Sequence, residues 1–128
     1  MVQVKKKGNV GEREFCQILE KELGVDVERN ITQTRFGGAD ILTVEPFAIE
    51  VKRQQILQIN QWWAQALRQV TKDNPVPVLV WRQNRKPWQV RIGSEFVLKK
   101  KMRGGARNWV EISLPHFLEI VKKTGRVV

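Results

Sequence analysis

The chain has 128 residues, with 23 Lys and Arg against 13 Asp and Glu, a formal net charge of +10 and a pI of about 10.3. A chain of this length forms one domain that buries about two-thirds of the surface its unfolded form exposes, so it folds without a disulfide or metal staple. With 41% apolar residues and no apolar run near the roughly 20 residues of a membrane span, it is neither a disordered basic tail nor a membrane-spanning protein. One cysteine, Cys16, and one histidine, His116, leave no internal disulfide, no zinc site and no Cys/His catalytic pair. No apolar segment follows the lysines of residues 1–7, so no signal peptide is expected. The expected location is the cytoplasm of a bacterial or archaeal cell, and a viral origin is compatible with it. The excess charge calls for a polyanionic partner, nucleic acid ahead of an anionic membrane surface.

In chain order, Val10 to Leu23 carries Phe15, Ile18, Leu19 and Leu23 at helical spacing before a glycine stop at Gly24, which predicts a helix. At about 100° per residue Phe15, Cys16, Leu19 and Leu23 share one side; Glu12 falls within that stripe and Glu14 on the opposite face. Val25 to Thr32 and Ala39 to Val44 read as strands around the glycine turn Gln33 to Gly38. Phe47 to Lys52 reads as a third strand after the break at Glu45-Pro46. From Ile59 the apolar positions Trp62, Trp63, Ala66, Leu67 and Val70 give the strongest helical pattern, stopped by Asp73-Asn74-Pro75. Val76 to Trp81 is a β-branched run suited to a sheet interior. Trp88 to Ile92, Glu95 to Leu98 and Trp109 to Ser113 read as antiparallel strands, with Gly93-Ser94 a tight turn, and Pro115 opens a terminal helix to Lys123. The expectation is a single domain over 1–128, with a flexible basic N-terminus at 1–7 and a mobile basic arm at 99–107.

The chemistry concentrates in Gly38-Ala39-Asp40, followed ten residues after Asp40 by Glu50-Val51-Lys52. Residues two apart on a strand share a face, so Glu50 and Lys52 project together while Val51 enters the core. If the strands holding Asp40 and Glu50 pair, the two carboxylates converge, and Glu12 approaches from the first helix. Clustered carboxylates repel unless a hard cation accepts their oxygens, and an adjacent lysine can orient water or offset charge on a phosphate. Taken alone, Glu-X-Lys is most often a solvated ion pair on a strand.

These residues, together with Lys7-Gly8 through Glu12-Arg13-Glu14 and Trp62-Trp63-Ala64-Gln65-Ala66, resemble the PD-(D/E)XK nuclease superfamily. Within it the similarity is to archaeal-type Holliday junction resolvases and their phage relatives, over roughly residues 7–92. Gly38-Ala39-Asp40 stands where the name has Pro-Asp. The resemblance implies an α/β, restriction-endonuclease-like fold, a central mixed β-sheet flanked by helices. It implies Glu12, Asp40 and Glu50 as ligands of Mg²⁺, with Mn²⁺ able to substitute and the Val51 carbonyl a further ligand. It also implies Lys52 as the catalytic lysine, a site glutamine on the second helix, and a homodimer acting on branched double-stranded DNA. Helical geometry favours Gln65 for that glutamine and leaves Gln61 open.

The positive charge is uneven. Between Arg82 and Arg107 there are nine Lys or Arg and one acid, Glu95. Arg82, Arg85, Lys99, Lys100, Lys101, Arg103 and Arg107 are therefore candidate DNA contacts, joined by Arg53 and, near the proposed site, by Lys5, Lys6, Lys7 and Arg35. Trp62, Trp63 and Trp81 are expected in the core, whereas Trp88 and Trp109 suit either nucleic acid or a partner subunit. The Phe117, Leu118 and Val121 stripe suits a core-covering helix or a dimer interface. The expected activity is metal-dependent cleavage of four-way junctions. The alternatives are a non-catalytic basic DNA-binding module and a repair- or restriction-type nuclease acting on other DNA.

Overall fold

The computed structural model describes residues 2–30 and 38–128, apart from the side chains of 2–9 and 106. The elements run α1 (Val2–Leu23), β1 (Val44–Glu45), β2 (Phe47–Arg53), α2 (Ile59–Arg68), β3 (Val76–Arg82), β4 (Gln89–Gly93), α3 (Ser94–Leu98), a 3₁₀ turn (Gly105–Arg107), β5 (Trp109–Ser113), α4 (Leu114–Thr124) and β6 (Arg126–Val127). Strands β2-β3-β4-β5 form a mixed sheet in that order, parallel between β2 and β3 and antiparallel thereafter, while β1 and β6 make a separate antiparallel pair. This is the expected α/β architecture of a mixed sheet flanked by helices.

Alternation along the strands divides the sheet into two different faces. One face carries Ile49, Val51, Val78, Val80, Val90 and Ile92 into the main core, where Phe15 and Leu19 of α1 and Phe117 and Val121 of α4 cover them. Phe15 meets Trp88 edge-on at 5.1 Å, and Phe47 meets Phe117 at 5.7 Å, so aromatic contacts tie both helices to the strands. The other face carries Leu79 and Trp81 under Trp62, Trp63 and Ala66 of α2. Register places Glu50 beside Leu79 and Lys52 beside Trp81, so both charged residues lie on the α2 face.

Several expectations change. The first helix begins at Val2 rather than Val10 and takes in the backbone of Lys5, Lys6 and Lys7. Residues 25–30 form no strand: the segment is tied laterally, by Asn30 N–H to Asp40 O at 2.7 Å and Thr43 Oγ1 to Glu28 O at 2.9 Å, without a continuous ladder. Ile31 and Thr32 lie outside the described residues, as does Arg35. Of Ala39 to Val44 only Ile41 bridges to Ile49, before β1 begins at Val44. Glu95 to Leu98 is helix rather than strand, closed by Lys99 in the left-handed region at φ 57°. The 99–107 stretch carries hydrogen bonds of its own. Met102 N–H donates to Glu95 Oε2 at 2.6 Å, and Asn108 Nδ2 donates to the carbonyls of Arg103 and Gly105. Trp88 is core, whereas Trp109 is 43% exposed. Phe117 and Val121 face the core, so the terminal helix is a cover, capped by Ser113 Oγ accepting from His116 N–H.

One buried polar residue fastens the segment entering β2. Asn74, 4% exposed, donates from Nδ2 to Leu42 O at 2.9 Å and Phe47 O at 2.8 Å. Asn74→Ala strands both carbonyls and is expected to lower the unfolding free energy by about 2–3 kcal/mol in urea titration; a loss under about 0.5 kcal/mol would show that the bonds carry little.

Candidate active site

Asp40 reaches its position through local backbone constraints. Gly38 sits at φ +98°, where a side chain is strained, and a Cβ there would meet Asn30 Nδ2 at 3.2 Å. Asn30 in turn donates from Nδ2 to Ala39 O at 3.0 Å, so the turn is held on both sides of a fully buried Ala39. Asp40 then stands against the outer edge of β2, where its Oδ2 accepts the Val51 N–H at 2.7 Å. The Val51 carbonyl points to the same edge as its N–H, because both main-chain polar groups of a strand residue project sideways together.

Two further carboxylates meet Asp40 there. Glu50 is 1% exposed on β2, with Lys52 Nζ 3.7 Å from its Oε2 and, among the described residues, no hydrogen-bond partner for its Oε1. Glu12 comes from α1, which approaches β2 closely because residue 11 is glycine: a Cβ at Gly11 would lie 3.0 Å from Arg53 Cβ. Glu12 Oε1 lies 3.4 Å from Arg29 Nη1, and the Glu12 carboxyl is close enough to Asp40 to feel its charge. Loss of hydration and the Asp40 charge push Glu12 up to about 7, against the pull of Arg29. Burial and then Asp40 push Glu50 up to about 8, with Lys52 opposing.

Glu12, Asp40, Glu50, Val51 and Lys52 thus lie on neighbouring parts of the fold around the edge of β2. Gln65 is half-buried on α2 and Gln61 exposed, the order the helical wheel gave, and α2 packs over the strands bearing Glu50 and Lys52. Arg29, Asn30 and Gly11 join the site without having been singled out in the sequence. The signal for Arg29 would have been its place in the segment that packs beside Asp40, which periodicity does not reveal.

Glu14, on the face of α1 opposite the buried stripe, is paired: its Oε2 accepts from Arg82 Nη1 at 2.7 Å, and its Oε1 is 3.6 Å from Arg53 Nε. Two of the candidate DNA contacts, Arg53 and Arg82, therefore also tie α1 to the ends of β2 and β3. Arg85, Lys99, Lys100, Lys101, Arg103 and Arg107 are exposed. The lysines at 99–101 line a groove of about 530 Å³ with Pro75, Val76 and Pro77, at the end of the sheet opposite Arg82.

Among the described residues, no three His, Cys, Asp or Glu side chains are grouped closely enough to hold a metal ion as they stand. The donor set nevertheless fits a hard divalent cation. It holds a buried carboxylate oxygen with no hydrogen-bond partner among the described residues, and two glutamates whose ionisation is suppressed first by burial and then by the neighbouring Asp40 charge, a condition a bound cation relieves. Without a cation, the folded protein keeps protons on Glu12 and Glu50 that the unfolded chain releases above pH 4.5. Stability is therefore expected to fall as pH rises from about 5 through 7 and 8, and to level off once both groups are ionised. Thermal unfolding should show that fall in EDTA, a larger Mg²⁺-induced rise in Tm at about pH 8 than at about pH 5, and a flatter profile for Glu50→Gln. A Tm indifferent to Mg²⁺ at both pH values would contradict the site.

The family model of phage putative PDDEXK endonucleases matches residues 3–121. No curated protein and no solved structure matches the chain. Nucleases of the PD-(D/E)XK class use divalent metal ions, and the mixed sheet flanked by helices is the restriction-endonuclease-like fold. With the match spanning nearly the whole chain and the three carboxylates and lysine gathered at the edge of β2, the protein belongs to the phage PDDEXK endonuclease family.

Proposed function

We propose that this nuclease is a structure-specific endodeoxyribonuclease that cleaves branched duplex DNA, with the four-way junction as its preferred substrate, in the cytoplasm of a phage-infected cell. The observation that carries the reading is the convergence of Glu12, Asp40 and Glu50 beside Lys52, with the Glu50 Oε1 atom buried and without a hydrogen-bond partner among the described residues.

In this reading Glu12, Asp40 and Glu50, with the Val51 carbonyl, hold Mg²⁺ or Mn²⁺. The bound cation supplies an activated water and offsets charge on the phosphoryl oxygens. Asp40 is fixed by the Val51 N–H, so its carboxylate needs no reorganisation to face Glu50. Lys52, on the same strand face as Glu50, brings an ammonium to the attacked phosphate and orients the nucleophile. Gln65, half-buried on the overlying helix, acts beside it.

The basic surface supports a duplex lying along β2. Register puts Phe47 opposite Val76 and Arg53 opposite Arg82, so the groove with Lys99, Lys100 and Lys101 and the end with Arg53, Arg82 and Arg85 stand at opposite ends of a seven-residue strand, about 20 Å apart. Glu50 is midway. Such contacts grip phosphates without reading bases, which suits selection by DNA shape. Paired cuts on opposed strands of a junction favour a C2 homodimer, since symmetry then supplies the second site.

Purified protein is expected to cut a labelled four-way junction in Mg²⁺ and not in EDTA, and to cut it faster than linear duplex. Asp40→Asn, Glu50→Gln and Lys52→Ala should each reduce cutting by more than about 100-fold while leaving salt-sensitive binding in place. Binding with no metal-dependent cleavage of any DNA would point to a binding module instead. Equal rates on linear and branched DNA would remove the junction preference and leave a general or repair-type nuclease.

A further inference from the structure

Beside the site lies a feature the cleavage chemistry does not use. The loop 54–58, which begins directly after Arg53 and leads into α2, is exposed throughout, and at its tip Ile56 is 75% and Leu57 40% exposed. An isolated exposed aliphatic residue has little meaning, but this pair is rigidly presented. Gln54 N–H donates to Arg82 O at 3.2 Å, Gln83 Nε2 donates to Gln55 O at 2.8 Å, and the Asn84 N–H bonds to Gln55 Oε1. At the far end the Gln58 carbonyl accepts the Trp62 N–H at 2.9 Å in the first turn of α2. The loop is therefore bolted to the β3–β4 turn, with Ile56 held out toward solvent.

Its surroundings are cationic and hollow. Arg53, Arg82, Arg85 and Lys86 flank it, a charge pattern that draws a phosphate backbone and does not suit an apolar protein partner. Leu57 also lines a cavity of about 220 Å³ together with Trp81 and Pro87 and the polar Arg82, Gln83, Lys86 and Gln89. Trp81 is the register partner of Lys52, so this cavity lies one strand from the catalytic lysine. An apolar tip on a hydrogen-bonded support, a cationic border and a hollow lined in part by apolar side chains, at the end of β2 just beyond Lys52, together match a side chain that enters a base stack.

We propose that Ile56 is a wedge that separates one base step of the DNA next to the phosphate cut at Glu50 and Lys52, with the Leu57-lined hollow receiving the displaced base. The proposal rests on the nuclease reading and adds to it a specificity device: DNA whose stacking is already broken at that step, as at a branch point, is favoured over continuous duplex because less stacking must be lost.

The test uses 2-aminopurine placed at the step beside the cut, read by fluorescence with the full-length Glu50→Gln protein in EDTA, so that binding is seen without cleavage. Fluorescence should rise at least about threefold on binding, and Ile56→Ala in the same background should remove most of that rise while weakening binding by less than about threefold. With Glu50 intact, Ile56→Ala should slow cutting of linear duplex, and a mismatch at that step should restore the rate. Ile56→Leu should keep the signal, and the exposure of Ile56 means that neither substitution should move Tm. Equal signals with Ile56 and with Ala, or binding with no signal in either, would overturn the wedge and leave the nuclease reading intact. Absence of DNA binding by every protein would overturn both.

Discussion

The hydrogen bond from the Val51 N–H to the Asp40 carboxylate is the interaction on which the site depends. It fills the outer edge of β2 with a side chain where a neighbouring strand would otherwise be required, and so brings an acid from a separate segment against the strand that carries Glu50. The consequence is a buried concentration of negative charge. Glu50 cannot move away, because its strand neighbours Ile49 and Val51 are held in the core. Glu12 cannot withdraw either, because Phe15 and Leu19 fix α1. Burial first, and the Asp40 charge second, raise the pKa values of both glutamates. A site that is unfavourable until a cation arrives is a local cost in stability borne for function.

The net charge of +10 has a different meaning once its partners are known. Arg82 is bound to Glu14, while Arg91 is buried, paired with Glu111 and stacked 3.5 Å over Trp109. These arginines, although part of the basic stretch after residue 81, hold the sheet and α1 together first. The remaining cations sit on exposed turns, at Arg85 and Lys86 and at 99–107, where they are free to meet phosphate.

Much of this was legible in the sequence where the signal was local. The α2 pattern of Trp62, Trp63 and Ala66, the β-branched run of β3 and the Pro115 helix start each follow from spacing, and Asp40, Glu50 and Lys52 stood out because those residue types are costly inside a fold unless used. The errors occur where tertiary contacts decide. Phe96, Val97 and Leu98 have strand-like composition, but five residues show no period, and the left-handed Lys99 closes them as helix. Residues 25–30 look like a strand, yet they are held by single bonds from Asn30 and Thr43. The helical wheel put Glu14 opposite the buried stripe but cannot show that Arg53 and Arg82, far along the chain, arrive beside it. Trp88 and Trp109 were indistinguishable by neighbours, and only the packing of Phe15 on the first separates them.

The central claim is that Glu12, Asp40 and Glu50 form one cation site. Crystals of the protein soaked in Mn²⁺ and measured at the manganese absorption edge test it directly. The account predicts an anomalous peak within ligand distance of Glu50 Oε1 and Asp40, lost in Asp40→Asn crystals. A peak confined to other surface acids, or none where Asp40 and Glu50 are well ordered, would contradict it.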